Sequence, residues 1–103
     1  MLYKIDISEK ANEDFIELFS WIAYENDAPQ TAFNYLQEIY DKIKLLEQYP
    51  TKNPVSNNNS IIRSYGLNVR RFNHKKYAIL YTVCEDDYSV DIIRVIPQSM
   101  IIG

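Results

Sequence analysis

Six residues within one twelve-residue stretch, Arg70, Arg71, Lys75, Lys76, Tyr77 and Tyr81, are the side chains of this sequence best suited to chemistry. Strand alternation places subsets of them on one face of two short strands and the turn joining them, within several ångströms of each other. Cations grouped in this way hold phosphates, aromatic rings stack bases, and a guanidinium stabilises the charge of a pentavalent phosphate. The same group binds an acidic protein segment equally well. Tyr77 and Tyr81 lie four apart and share a strand face, which most simply means packing within a sheet.

Other chemistries find little support. His74 is the only histidine and sits in a lysine-rich turn with no second His or Cys nearby, so it reads as a solvated turn residue. Cys84, the single cysteine, excludes an intramolecular disulfide and a multi-cysteine zinc site, and it reads as a small strand-end residue. One cysteine suits a reducing compartment, so the expected location is cytoplasmic. Asp86 and Asp87 serve a hairpin turn. With glycine only at positions 66 and 103, neither a phosphate-binding loop nor a dinucleotide fingerprint can be built. No cofactor and no metal is expected.

The 103 residues amount to a single domain, 1–103, and the 47% hydrophobic and 24% charged composition is that of a globular protein. The opening Met1-Leu2-Tyr3-Lys4-Ile5-Asp6 carries charge where a signal peptide needs an apolar stretch. No run approaches the ~18 apolar residues of a spanning helix, so no membrane contact is expected. The net charge of −3 alone would disfavour polyanions, but it conceals a segregation. Residues 1–47 carry −6, residues 48–84 carry +6 with no acid at all, and residues 85–103 carry −3. If the middle cations share a face, its local field is positive whatever the total, because fields are screened over ~8 Å. Lysines and arginines at strand edges also discourage aggregation, which is the plainer account of the same residues.

The elements that must position these cations follow from periodicity. Tyr3, Ile5 and Ile7 alternate with Lys4 and Asp6, giving a strand over 2–7. Ser8 is placed to cap a helix whose apolar face is Ala11, Phe15, Leu18, Phe19 and Ile22, running to about Glu25. Asp27, then Pro29 and Gln30, marks a second helix start with a capping-box variant, and Ala32, Phe33, Leu36, Ile39, Tyr40, Ile43 and Leu46 form its stripe. Tyr49-Pro50 ends it. Two helices with so short a link form an antiparallel hairpin. Pro50 to Ser60 has no period and reads as a surface loop, and residues 61–66 are ambiguous between strand and irregular chain. Val69 to Phe72, Tyr77 to Val83 and Val90 to Ile96 are strands, with turns at Asn73-His74-Lys75-Lys76 and Glu85-Asp86-Asp87. The fold class is α+β: a small antiparallel sheet of three to five strands packed on a helical hairpin, in the order β-α-α-β-β-β.

In that order, the strand leading into Ser8, the hairpin broken at Asp27-Ala28-Pro29 and ended at Tyr49-Pro50, Asn68-Val69-Arg70-Arg71-Phe72, Tyr77-Ala78-Ile79-Leu80-Tyr81-Thr82-Val83 and Ile92-Ile93-Arg94-Val95 resemble the RelE/ParE superfamily. These are toxins of bacterial type II toxin–antitoxin pairs, and the resemblance covers essentially the whole chain. It implies a protein that arrests growth when free and is neutralised by a cognate antitoxin of the ParD or RelB kind, usually encoded beside it. The antitoxin's extended and often acidic segment wraps the toxin, and operator DNA is contacted only through the antitoxin.

Two activities are implied by the superfamily: cutting of messenger RNA on the ribosome by RelE-like members, and poisoning of DNA gyrase by ParE-like members. The long hairpin is ParE-like. Where the ribonucleases carry an arginine this chain has Ala78, and their basic C-terminal stretch is here Pro97-Gln98-Ser99-Met100-Ile101-Ile102-Gly103. Losing two such groups removes ~2–4 kcal/mol of transition-state stabilisation per group. The ParE-like activity on gyrase is therefore the expectation. The alternatives are a metal-independent endoribonuclease using Arg63, Arg70, Arg71 and Tyr81, with Lys75 and Lys76 on the RNA backbone, and a non-toxic member that only binds antitoxin. The expected target or antitoxin surface comprises Arg63, Arg70, Arg71, Lys75, Lys76, Tyr77, Arg94, Met100 and Ile101, with an apolar strip on the hairpin. The Met100-Ile101-Ile102 tail is expected either to pack on the fold or to be covered by the partner.

Overall fold

A computed structural model describes residues 1–102. Strand β1 (Lys4–Ile7) leads into helix α1 (Glu9–Ser20), which continues as a π-helical turn over Trp21–Glu25. Helix α2 (Pro29–Leu45), the short helix α3 (Asn59–Tyr65) and strands β2 (Arg70–His74), β3 (Tyr77–Cys84) and β4 (Ser89–Pro97) follow, with a 3-10 turn at Gln98–Met100. The sheet order is β1-β4-β3-β2. β2, β3 and β4 pair antiparallel, whereas β1 lies parallel to β4, so the sheet is mixed rather than purely antiparallel. The crossover that a parallel pair requires is supplied by everything between β1 and β4.

Ser8 caps α1 as its position demands: its Oγ accepts from the Ala11 N–H at 3.0 Å and donates to the Ile93 carbonyl at 3.2 Å. One residue thus starts the helix and ties it to β4. The link to α2 differs from expectation, since the cap position is Ala28 with no side-chain hydrogen bond. Asp27 instead takes a left-handed φ of 50°, which aspartate tolerates better than most residues, and lets the chain reverse in two steps. Pro29, with its preset φ, opens α2.

The hairpin covers one sheet face. Phe15, Leu18, Ile39, Ile43 and Leu46 pack on Ile79, Tyr81, Val90, Ile92 and Val95, all buried. Each such side chain contributes roughly 1.5–3 kcal/mol on removal from water. Phe15 stacks on Tyr40 at 4.8 Å and Phe19 meets Phe33 edge-on at 5.2 Å, holding the two helices together. The opposite sheet face has its own core of Ile61, Val69, Leu80 and Ile96, joined by Tyr65, Ile93 and Ile101. Residues 61–66, ambiguous in sequence, fall mostly in helix α3, which also takes Asn59 and Ser60 from the end of the expected loop: Asn58 Oδ1 accepts from the Ile61 N–H at 3.0 Å, and Ile61 is fully buried. A bulge between Leu80 and Tyr81 skips Ile93, so Leu80 pairs with Arg94 and Tyr81 with Ile92. The extra residue re-aims Arg94 relative to the regular ladder.

The Pro50–Asn58 segment has no helix, yet it is pinned. Val55 bridges Arg70, Ser56 N–H donates to the Val69 carbonyl at 2.7 Å, and Tyr81 Oη donates to the Pro50 carbonyl at 3.0 Å. No helix among the described residues is long and apolar enough to cross a membrane.

Candidate functional site

The turn between β2 and β3 is two residues long, Lys75 and Lys76, because His74 still pairs with Tyr77 in the ladder. His74 is buried, not a solvated turn residue. Its Nε2 donates to Glu38 Oε1 at 2.6 Å, and Nδ1 has no hydrogen-bond partner among the described residues. The α2 residue Glu38 also meets Lys75 Nζ at 3.3 Å. The His74 hydrogen bond, then the Lys75 contact, holds the Glu38 carboxyl below its ordinary range.

Tyr35, one turn earlier on α2, donates from Oη to the His74 carbonyl at 3.1 Å, with Lys75 Nζ 5.2 Å from its ring centre. Gln98 braces the turn from the other side. Its Nε2 donates to the Lys75 carbonyl at 2.7 Å, its backbone N–H donates to the Lys76 carbonyl at 2.7 Å, and its Oε1 accepts from Arg71 at 3.2 Å. Lys75 has φ of 54°, a left-handed conformation that costs a residue with a Cβ ~1–3 kcal/mol and persists where surrounding contacts over-determine it.

This braced turn borders a cleft of about 780 Å³ whose walls include Trp21, Ile22, Tyr35 and Tyr77, with Asn26, Pro97 and Gln98. Asn26 donates to the Trp21 carbonyl at 3.2 Å, closing the π-helical turn that presents Trp21 to the cleft. Burial pushes the Tyr35 and Tyr77 phenols above their ordinary value, so both stay neutral hydrogen-bonding groups. A second groove, about 510 Å³, lies on the outer surface of the hairpin between Ile16, Phe19, Tyr24, Phe33 and Tyr40. It is the apolar strip expected on the hairpin.

The remaining cations do not join one patch. Arg70 is turned inward, donating to the Asn53 carbonyl at 2.6 Å and the Thr51 carbonyl at 3.3 Å. Arg71 donates to Asn73 Oδ1 at 2.8 Å as well as to Gln98. Arg63 sits on α3, across the sheet from the hairpin. Arg94 is committed to Asp14, with its side chain only 18% exposed. Tyr81 is fully buried, bonded to Pro50 and Asn53, and offers no ring face to a ligand. Ala78 is fully buried too. In the tail, Ile101 packs into the second core while Met100 and Ile102 stay largely exposed. Lys75, Lys76 and Tyr77 are thus brought together at the cleft, and Tyr77 also lines a smaller cavity with Arg94 and Met100. Sequence reasoning passed over Trp21, Tyr35 and Glu38; the one tryptophan falling outside the apolar stripe of α1 was an available signal. Among the described residues no three His, Cys, Asp or Glu side chains gather as a metal would need.

A mixed sheet carries a helical hairpin on one face and a short helix on the other, with a cationic turn beside an aromatic cleft. The chain belongs to the ParE toxin family, the toxins of type II toxin–antitoxin systems of the parDE kind, whose family model matches residues 5–102. No curated protein is significantly similar in sequence. Among solved structures, the chain resembles one from the chromosomal ParDE toxin–antitoxin system of P. aeruginosa, with TM-score 0.70 and 16% identity over 93% of this chain and 96% of that one. A mutant of the E. coli toxin RelE in the free state gives TM-score 0.66 and 15% identity, over 97% and 87%. A RelBE toxin–antitoxin complex from Mycobacterium tuberculosis gives 0.61 and 15%, over 94% and 99%. At these identities the likeness is one of fold, shared with ParE and RelE structures alike.

Proposed function

We propose that this toxin arrests growth by docking on DNA gyrase rather than by cutting RNA, and that a cognate antitoxin encoded nearby neutralises it. The observation that carries the reading is the match to the ParE family over residues 5–102. The side chains agree with it. Cleaving RNA without a metal needs a base for the 2′-hydroxyl and cations for the phosphate and leaving oxygen, all converging on one point. Here Arg70, Arg71 and Gln98 are occupied by internal acceptors and donors, Tyr81 and Ala78 are buried, and the one histidine is bonded to Glu38. Such commitments suit a rigid docking surface. For the antitoxin, two apolar surfaces are open, the outer groove of the hairpin and the cleft beside Lys76.

The test is induction of the chain alone in a bacterial host. The expected result is growth arrest with loss of negative supercoiling in a reporter plasmid and unchanged 5′ ends of translated messages. New codon-dependent 5′ ends would replace this reading with the ribonuclease one. Unaffected growth would leave a module that only binds its partner.

A further inference from the structure

A cavity of about 180 Å³ opens where the end of α2, the Pro50–Asn58 segment and strand β2 meet. Leu45, Leu46 and Phe72 form its apolar part, Lys42, Lys52 and Asn73 bring donors to it, and none of its lining residues is acidic. Both lysines are exposed, and neither makes an ion pair among the described residues. Glu38, one turn before Lys42, is held by His74 and Lys75, and Asp41 accepts from Gln37 at 2.9 Å. Asn73 adds a backbone donor. It faces Ala78 one step from the turn-closing pair His74–Tyr77, a position without ladder hydrogen bonds, so its N–H points off the edge of β2. Val55 covers that edge only at Arg70.

We infer that this cavity is a DNA-backbone site, in which Lys42, Lys52 and the Asn73 N–H hold one phosphate of the duplex on which gyrase works. The inference rests on the gyrase reading above for its choice of DNA. The cavity is smaller than the ~300 Å³ at which sites for whole small molecules begin, so it fits a single phosphate presented by a larger molecule better than a free nucleotide. The neighbouring charge favours a polyanion. Arg70 donates to the Asn53 and Thr51 carbonyls, and Arg71 donates to the amide oxygens of Asn73 and Gln98. These acceptors are neutral, so both arginines, though spent as donors, keep their full charge and add to the field along β2. A phosphate arriving at Lys42 and Lys52 gains partners without breaking an ion pair.

Two features oppose an anion here, and both are limited. The C-terminal carbonyls of a helix repel negative charge, but those of Ile43, Lys44 and Leu45 accept from the N–H groups of Leu46, Glu47, Gln48 and Tyr49. The acidic hairpin lowers the affinity for DNA in free solution, since residues 1–47 carry −6. On gyrase that cost is offset, because a duplex already held by the enzyme meets the site at high effective concentration.

The experiment titrates a short fluorescein-labelled DNA duplex with the full chain at low ionic strength and then across a salt series, reading fluorescence anisotropy. Circular dichroism checks that Lys42→Gln, Lys52→Gln and their combination retain the fold. The parent is expected to bind with a slope of log affinity against log salt of about −2 to −4. Each single variant should reduce the magnitude of that slope by about 1, and the double variant should weaken low-salt binding by about 10-fold or more. Lys10→Gln, in the first turn of α1, should change neither. No binding of the duplex at low salt, an equal loss from Lys10→Gln, tighter binding of a single-stranded RNA, or displacement by hexaglutamate as effective as by unlabelled duplex would each overturn the inference. Inhibition of gyrase is read separately. Lysine-dependent duplex binding with uninhibited gyrase refutes the gyrase reading alone, while inhibited gyrase without lysine-dependent duplex binding refutes the DNA site alone.

Discussion

Asp14 on α1 and Arg94 on β4, eighty residues apart in the chain, meet through two hydrogen bonds of 2.7 and 3.1 Å between carboxylate and guanidinium. The same carboxylate accepts the Val95 N–H at 2.9 Å, and Tyr65 Oη accepts from Arg94 at 2.8 Å. Hairpin, sheet and α3 therefore converge on one ion pair. Removing one partner of such a pair strands the other in a poorly hydrated site. Asp14→Ala is expected to destabilise the protein by about 3 kcal/mol, the low end for a buried pair because Tyr65 and residual water still serve Arg94. Urea denaturation measures it, and a loss below about 1 kcal/mol would show that the pair is replaceable by solvent.

Tyr81 is a second fastening, between sheet and loop. Its hydroxyl donates to the Pro50 carbonyl and accepts from Asn53 at 3.2 Å, and burial pushes its phenol above the ordinary value. Tyr81→Phe keeps the ring and deletes only these bonds, so the expected cost is about 1–2 kcal/mol. Hydrogen exchange should show faster opening at Lys52 and Asn53, while strands β3 and β4 keep their protection. A loss of growth arrest at unchanged stability would instead mean that the hydroxyl acts on a target.

The Glu38 contacts to His74 and Lys75 make a pH prediction with a definite sign. The folded carboxyl titrates below its ordinary value of 4.5, so its contribution to stability is fully present above 4.5 and is lost as pH falls through the lowered folded value. Glu38→Gln should be less stable than the parent at neutral pH, and the gap should close as pH falls well below 4.5. Denaturant midpoints of the two proteins across that range decide it. A gap that stays constant into acid would mean that packing, not charge, distinguishes them.

These fastenings explain which parts of the molecule were legible in the sequence. The apolar spacing at Ala11, Phe15 and Leu18, and at Ala32, Ile39 and Ile43, is local and placed the hairpin correctly. The short apolar run from Tyr77 to Val83 marked a strand but could not say that Leu80 faces a second core, because α3 holds a single fully buried anchor, Ile61. Asn58, three residues before Ile61, was the readable cap in an otherwise polar run. His74 looked solvated because its lysine neighbours are local and its partner Glu38 lies thirty-six residues away. For the same reason the cation cluster looked larger than it is: the acceptors that occupy Arg70 and Arg94, and one of the two on Arg71, come from distant segments.

The central claim, that a rigid docking domain of the ParE family acts on gyrase, is tested most directly with purified components. The chain is released from its antitoxin, refolded, and added to DNA gyrase and relaxed plasmid with ATP. Inhibited supercoiling or stabilised cleaved DNA, abolished when the antitoxin is restored, is the predicted result. Full supercoiling in the presence of folded chain that still binds its antitoxin would contradict it.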